Sequence, residues 1–336
     1  MQIPAACAIE TSNQNKALVF LTDVAQLDMS RYTVKLISHD ETFPPHLNGL
    51  SFESITYDLD WKNESLLHVT FYFIDNQFDG CSILPINGSP IYYAEPQSAK
   101  AIDSVKDILD RYLTYSQASY VKGMQMVLNT VDSTNATATF GDVKLVTSTM
   151  ETPHGTTYEI FEWVYTVDGI DVQQNNLTIY FEDGSFKSLT DNWGLFNLGS
   201  SSVNVSQEEA IAIAKKAAND YTLLVWRGEW VEIPFNLGDE LRVNFFTYLR
   251  GDLTVFPLWD VELYFDKTDS HVTGLRYGIW TDTGEIAFIS ELSYGGELPD
   301  ETPPPPQSSG SNRYILAIMV VIVTVIIVSM VILRKK

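Results

Sequence analysis

Between residues 16 and 94 the apolar positions come in short or alternating runs. Ala17–Leu21, Tyr32–Ser38, Phe52–Leu59, Leu66–Ile74 and Cys81–Pro85 are each the length of a strand. Clusters rich in Pro, Asn and Gly, such as Phe43-Pro44-Pro45 and Asn87-Gly88-Ser89, separate them. This pattern predicts strands and no helix. The period then changes. After Pro96, residues Ile102, Val105, Leu109 and Tyr112 recur every three or four positions, the spacing of one helical face. Beyond a polar break at Asp132–Thr137, Tyr158–Val167 and Val172–Phe181 flank Asp168-Gly169, a hairpin signal. Asp183-Gly184 then turns the chain toward Phe186 and Leu189.

The pattern returns further on. Ser206-Gln207-Glu208-Glu209 reads as a capping box, with the serine oxygen placed to accept a free backbone N–H and Glu209 to reach back. Ala210, Ile211, Ala214, Ala217, Ala218 and Tyr221 form the apolar face of the helix it opens. Trp259, Val261, Leu263 and Phe265 then alternate with Asp260, Glu262, Tyr264 and Asp266. A turn at Lys267–Ser270 leads to Leu275, Tyr277 and Ile279, and Thr283-Gly284 starts a last strand through Ile286 and Phe288. Helix, hairpin and glycine turn thus occur twice, with Gly184 and Gly284 in like positions, a weak duplication of about 100 residues.

Tyr314–Leu333 is a run of twenty residues without a charge. A helix of that length spans roughly 30 Å, a bilayer core. Arg334, Lys335 and Lys336 follow it and only Arg313 precedes it, so the positive-inside bias puts the C-terminus in the cytoplasm and the body outside. Pro303–Pro306 and the QSSGSN that follows read as a stalk. Sequons at Asn63, Asn87, Asn135, Asn176 and Asn204 are compatible with that placement. Residues 1–10 carry neither a basic start nor a long apolar run, so no secretory signal is visible there. The expected location is the cell membrane, single-pass, with membrane lipid contacted through Tyr314–Leu333.

Composition narrows the classes. The chain has 336 residues, 45% hydrophobic and only 19% charged, so its body is not disordered by composition. The formal charge of −22 repels nucleic acid and excludes it as a partner. Cys7 and Cys81 lack metal-site spacing; one bridge or two unpaired thiols are both open.

Three segments carry a family resemblance. VSQEEAIAIAKKA (Val205–Ala217), PLWDVELYFD (Pro257–Asp266) and GLRYGIWTDTGEI (Gly274–Ile286) resemble the PepSY domain. Upstream, Tyr165–Leu189 is similar to the propeptide segment preceding PepSY in thermolysin-like secreted proteases. The resemblance covers about residues 98–292, and the arrangement with stalk and anchor also resembles archaeal surface proteins. It implies an α+β fold, with antiparallel sheets each packed with a helix as a PepSY-like repeat. The expected divisions are a mostly β N-terminal region (1–95), a propeptide-like domain (96–200), a PepSY-like domain (201–294), a stalk (295–312) and one transmembrane helix with a basic tail (313–336).

Chemistry is sparse. His39, His46, His68, His154 and His271 are scattered, and none pairs at the His-Glu-x-x-His spacing of a zinc protease. No nucleophile elbow, phosphate loop or dinucleotide fingerprint occurs. Asp58 with Asp60, and Asp260 with Glu262, share strand faces as a glycosidase pair would, yet on faces where solvated acids are expected. Asp266, Asp269 and Asp282 fall near turns without a calcium loop. Trp226, Trp230, Trp259, Trp280, Phe245 and Phe246 are candidates to line a groove, Trp259 with the core as its alternative. No catalytic residue, metal or cofactor is assigned. In a thermolysin-like protease the propeptide assists folding and inhibits; here no catalytic domain follows. The expected function is a non-catalytic, membrane-anchored extracellular binding module, protease-inhibitor-like or chaperone-like, with an extracellular protein as partner. The alternatives are a structural cell-surface glycoprotein and a hydrolase with an unrecognised carboxylate site.

Overall fold

A computed structural model describes residues 12–93, 101–226, 229–266 and 271–293. They form two compact units, one of residues up to 201 together with 246–257, the other of 202–245 and residues from 258.

The first unit opens with a helix, α1 (Ser12–Val19), that widens into a π turn over Phe20–Val24. Four strands follow: β1 (Thr33–Thr42), β2 (Phe52–Trp61), β3 (Ser65–Ile74) and β4 (Gln77–Asn87). Two helices, α2 (Ala101–Ser116) and α3 (Val121–Leu128), lead to β5 (Thr137–Phe140), β6 (Val143–Glu151), β7 (Thr157–Val167), β8 (Ile170–Glu182) and β9 (Ser185–Asp191). Both strand sets are antiparallel meanders. They join in one nine-stranded sheet, ordered β1-β2-β3-β4-β9-β8-β7-β6-β5. The join is short, with Gly80, Cys81 and Ser82 pairing with Thr190, Leu189 and Ser188. Gly80 suits it, because a Cβ there would lie 3.2 Å from the carbonyl oxygen of Leu189.

One face of the sheet is apolar and buried. Ile55, Leu59, Val69, Phe71 and Phe73 alternate with polar positions along β2 and β3, as do Leu177, Ile179 and Phe181 along β8. The helices cover that face. Phe20 sits over the join, stacked on Phe78 at 4.8 Å and edge-on to Phe71 and to Tyr115 of α2. Trp163 of β7 is fully buried and donates its indole N–H to the Met124 carbonyl of α3 at 3.2 Å. Asp168-Gly169 and Asp183-Gly184 turn with positive φ at both residues, the geometry their hairpins need.

The second unit is built on α4 (Gln207–Asn219), whose capping box between Ser206 and Glu209 is formed in both directions. Its Ala210, Ala214 and Ala218 pack on Val261, Leu263, Leu275, Tyr277 and Ile279. These belong to β14 (Thr254–Phe265) and β15 (Val272–Trp280), which share a sheet with β13 (Leu237–Leu249) and β16 (Ile286–Ser293); β10 (Asn197–Leu198) and the Thr254–Val255 start of β14 that it pairs with fall in the first unit. A small hairpin, β11 (Leu224–Trp226) with β12 (Trp230–Glu232), stands apart. In element order β13-β14-β15-β16 repeats the β6-β7-β8-β9 meander, with Gly284 and Gly184 at corresponding turns.

Three expectations are corrected. Strands make up 51% and helices 20% of the described residues, so the protein is mostly β rather than an α+β array of sheets each packed with a helix. The reason is the β4–β9 pairing, which merges strands on either side of residue 95 into one sheet. Ala17–Leu21, expected as a strand, is helical, with Ala17, Phe20, Leu21 and Val24 buried along one face. The single-pass membrane placement is not supported: among the described residues no helix is long and apolar enough to cross a bilayer. The longest described helix, α2, has sixteen residues and carries Asp103, Lys106, Asp107, Asp110 and Arg111. Tyr314–Leu333, the stalk, Pro96 and Cys7 lie outside the described residues, while Cys81 is a free, buried thiol.

Truncating the side chain that ties α3 to the sheet tests this packing. Trp163→Ala is expected to cost about 3–5 kcal/mol in urea unfolding, and Trp163→Phe clearly less.

Candidate functional site

Two places in the first unit concentrate features beyond ordinary packing. The first lies at the end of the β4–β9 join. Asp191 closes β9 on the same inward face as Leu189 and is almost wholly buried. Tyr112 of α2 and Tyr120, just before α3, both donate their hydroxyls to its Oδ2, and the Trp193 backbone N–H donates to Oδ1 at 3.0 Å. Burial raises the Asp191 carboxyl above the usual range, and the two phenols partly offset that. Asp79 stands at the bulge where β4 departs from register with β3. Burial, and then the like charge of Asp191, push its carboxyl up to about 7. Trp193 stacks on Tyr120 at 5.6 Å, with Tyr165 edge-on at 5.9 Å.

Two neighbouring acids, both raised by burial, Asp79 to about 7, would suit acid–base chemistry if a substrate reached them. The geometry argues otherwise. Both Asp191 oxygens are already held by protein donors, and the residue is 7% exposed. Its role is to fasten α2 and the approach to α3 onto the sheet. An open groove of about 920 Å³ between α1 and α2 offers little more. Of its lining groups, Lys16 donates to the Asn76 carbonyl, Arg111 to the Val24 carbonyl, and Asp110 accepts from Gln125.

The second place is β1. Its sequence, TVKLISHDET, is rich in β-branched residues, which favour a strand. Nine of its ten residues are exposed; α1 reaches β2 and the β3–β4 turn, where Asn13 donates to Glu53 and Asn76. Val34 and Leu36 lie opposite Leu59 and Tyr57, on the sheet's apolar face, yet remain 39% and 42% exposed. Ile37 is 43% exposed at a bulge, where the register skips from Leu36 to Ser38. Among the described residues nothing pairs with the outer edge of β1.

The residues singled out in the sequence scatter. Asp58 faces outward and pairs with His68 at 2.9 Å, while Asp60 accepts the Asn63 backbone N–H in a turn. Asp260, expected in solvent, is 2% exposed and takes both arms of Arg276 at 2.7 and 3.0 Å. Glu262 instead accepts from Tyr264. His39 pairs with Glu53 at 2.7 Å; His46, His154 and His271 lie in turns or at a strand entry. Among the described residues no three metal-binding side chains converge. Trp259 packs against the second core and donates to the Val205 carbonyl, with Phe245 edge-on to it at 4.8 Å. Trp280 is buried. Trp226 and Trp230 face each other across the β11–β12 hairpin at 5.4 Å. Asp269 lies outside the described residues, and Asp266 and Asp282 join no cluster. Sequence reading missed Asp191, although an acid two positions after Leu189 on an inward face is a legible signal.

Compared with known proteins, the chain matches no family model and no curated protein.

The acid pair gives a pH prediction. Asp79 titrates near 7 in the fold and near 4 when unfolded, so the folded state holds its proton more tightly. Its stabilising contribution is complete below about pH 4 and is lost as the pH rises through 7. Urea midpoints are expected to fall between pH 5 and 8. Asp79→Asn should reduce that fall by on the order of 2–4 kcal/mol, and an unchanged pH slope would remove Asp79 as its source.

Proposed function

We propose that this chain is a non-catalytic binding module that receives an extended segment of a protein partner along β1. The observation that supports the reading is the open edge itself, ten residues long and solvent-exposed, with Val34, Leu36 and Ile37 displayed. A free strand edge offers a row of backbone donors and acceptors, and strand addition converts them into affinity while flanking side chains select the partner. The opposite edge of the same sheet, β5, has only four residues and offers far less. The segments resembling PepSY, Val205–Ala217 and Pro257–Asp266, point the same way, because the propeptides they resemble act on other proteins by binding. The acid pair does not favour hydrolysis, since Asp191 is spent on Tyr112, Tyr120 and Trp193.

Leu36→Glu tests the reading. Leu36 is already 42% exposed, so the change is expected to shift stability by less than about 1 kcal/mol. Protein partners captured by the full-length chain should bind the variant at least about tenfold more weakly, with hydrogen exchange protection on binding confined to residues 33–42. Equal capture by both forms would count decisively against β1 as the contact.

A further inference from the structure

We propose that the strand added to β1 is the β1 of a second copy of this chain, the two running antiparallel about a twofold axis at the Ile37 bulge. This rests on the reading of β1 as the contact surface. Bulges and edge charges ordinarily protect a strand from chance pairing, and β1 has both. The bulge, however, does not reject every partner.

Its effect on the faces is specific. Before it, Val34 and Leu36 lie opposite Leu59 and Tyr57 on the apolar face, and Thr33 and Lys35 lie opposite Asp60 and Asp58 on the outer face. After it the alternation is displaced by one. His39 and Glu41 now share the apolar face with Ile55 and Glu53, while Ser38, Asp40 and Thr42 take the outer face. β2, a regular strand, keeps its faces in step with β1 on both sides of Ile37, because the bulge absorbs the extra residue. The symmetry-related β1 carries the same bulge, so two copies also stay in step where their bulges meet, and charge then decides the register.

A twofold axis normal to the sheet keeps each face on its own side. Centred between Ile37 and Ser38, it sets Leu36 against His39, Lys35 against Asp40, Val34 against Glu41 and Thr33 against Thr42. In each pair both residues come from the same face. Lys35 and Asp40 are opposite charges, and the symmetry makes that pair twice. Sliding by two residues one way sets outward Ser38 against inward His39, and sliding either way separates Lys35 from Asp40. One register therefore satisfies faces and charges together. The same pairing covers Val34, Leu36 and Ile37. The formal charge of −22 opposes association at long range, and a ten-residue edge is a small interface, so a weak, micromolar dimer is expected.

Reciprocal charge changes test this in the full-length protein. Amide exchange of residues 33–42 is compared at about 1 µM and about 200 µM, bracketing a micromolar Kd. In the native sequence, protection of this segment should rise about tenfold at the higher concentration. Lys35→Glu alone and Asp40→Lys alone each set like charges opposite one another and should abolish the rise. The double variant Lys35→Glu/Asp40→Lys restores both pairs and should recover it. Exchange that ignores concentration, or a double variant that fails to recover, overturns the proposal. If self-pairing fails while Leu36→Glu still weakens capture of another protein, β1 remains a binding edge with a different occupant. If neither responds, both readings fall.

Discussion

Gly80, Cys81 and Ser82 meet Thr190, Leu189 and Ser188 in a pairing far shorter than any other between long strands of the first unit. The arrangement of that unit depends on it. Without these rungs, β4 and β9 would each expose an edge, and the apolar faces of two meanders would lack a common helical cover. Phe20 reinforces the same line from above, touching Phe71, Phe78 and Phe186 from β3, β4 and β9. The hydrophobic term here comes from a wide face; the register comes from a few backbone bonds.

Asp191 adds a polar fastening to this apolar join. A buried carboxylate is costly unless donors surround it, and two phenols and a backbone N–H do so. The two tyrosines reach it from different helical segments, so one side chain fixes both to the end of one strand. Asp79 works against it, since a second negative charge nearby raises the cost of ionising both. The β1 edge has no comparable fastening, and its side chains stay exposed.

Much of this was legible in the sequence, for physical reasons that differ by element. The hairpins at Asp168-Gly169 and Asp183-Gly184 were readable because a turn needing positive φ at two residues leaves a local signature. The α4 cap was readable because its partners are three residues apart. The first helix was not: Ala17–Leu21 in isolation looks like a strand, and only Ala17, Phe20, Leu21 and Val24 taken together show the helical period. Merging of the meanders was not legible either, because nothing near Cys81 indicates that Leu189 will be its neighbour. Asp260 looked solvated from its place in an alternating strand. The bidentate grip of Arg276, sixteen residues away, decides its burial. At β1 the strand could be read, but its bulge and lack of cover could not.

The join also bears on folding: every other rung of the large sheet links strands adjacent in the chain, whereas Gly80 and Thr190 are 110 residues apart. Each meander can form from local contacts, but closing the join requires ordering the long intervening chain first, and three rungs repay that entropy slowly. Closure is therefore expected late in the folding of the first unit. Until it occurs, β4 and β9 are two sticky edges in one molecule, and a newly made chain is most vulnerable to misassociation in that interval.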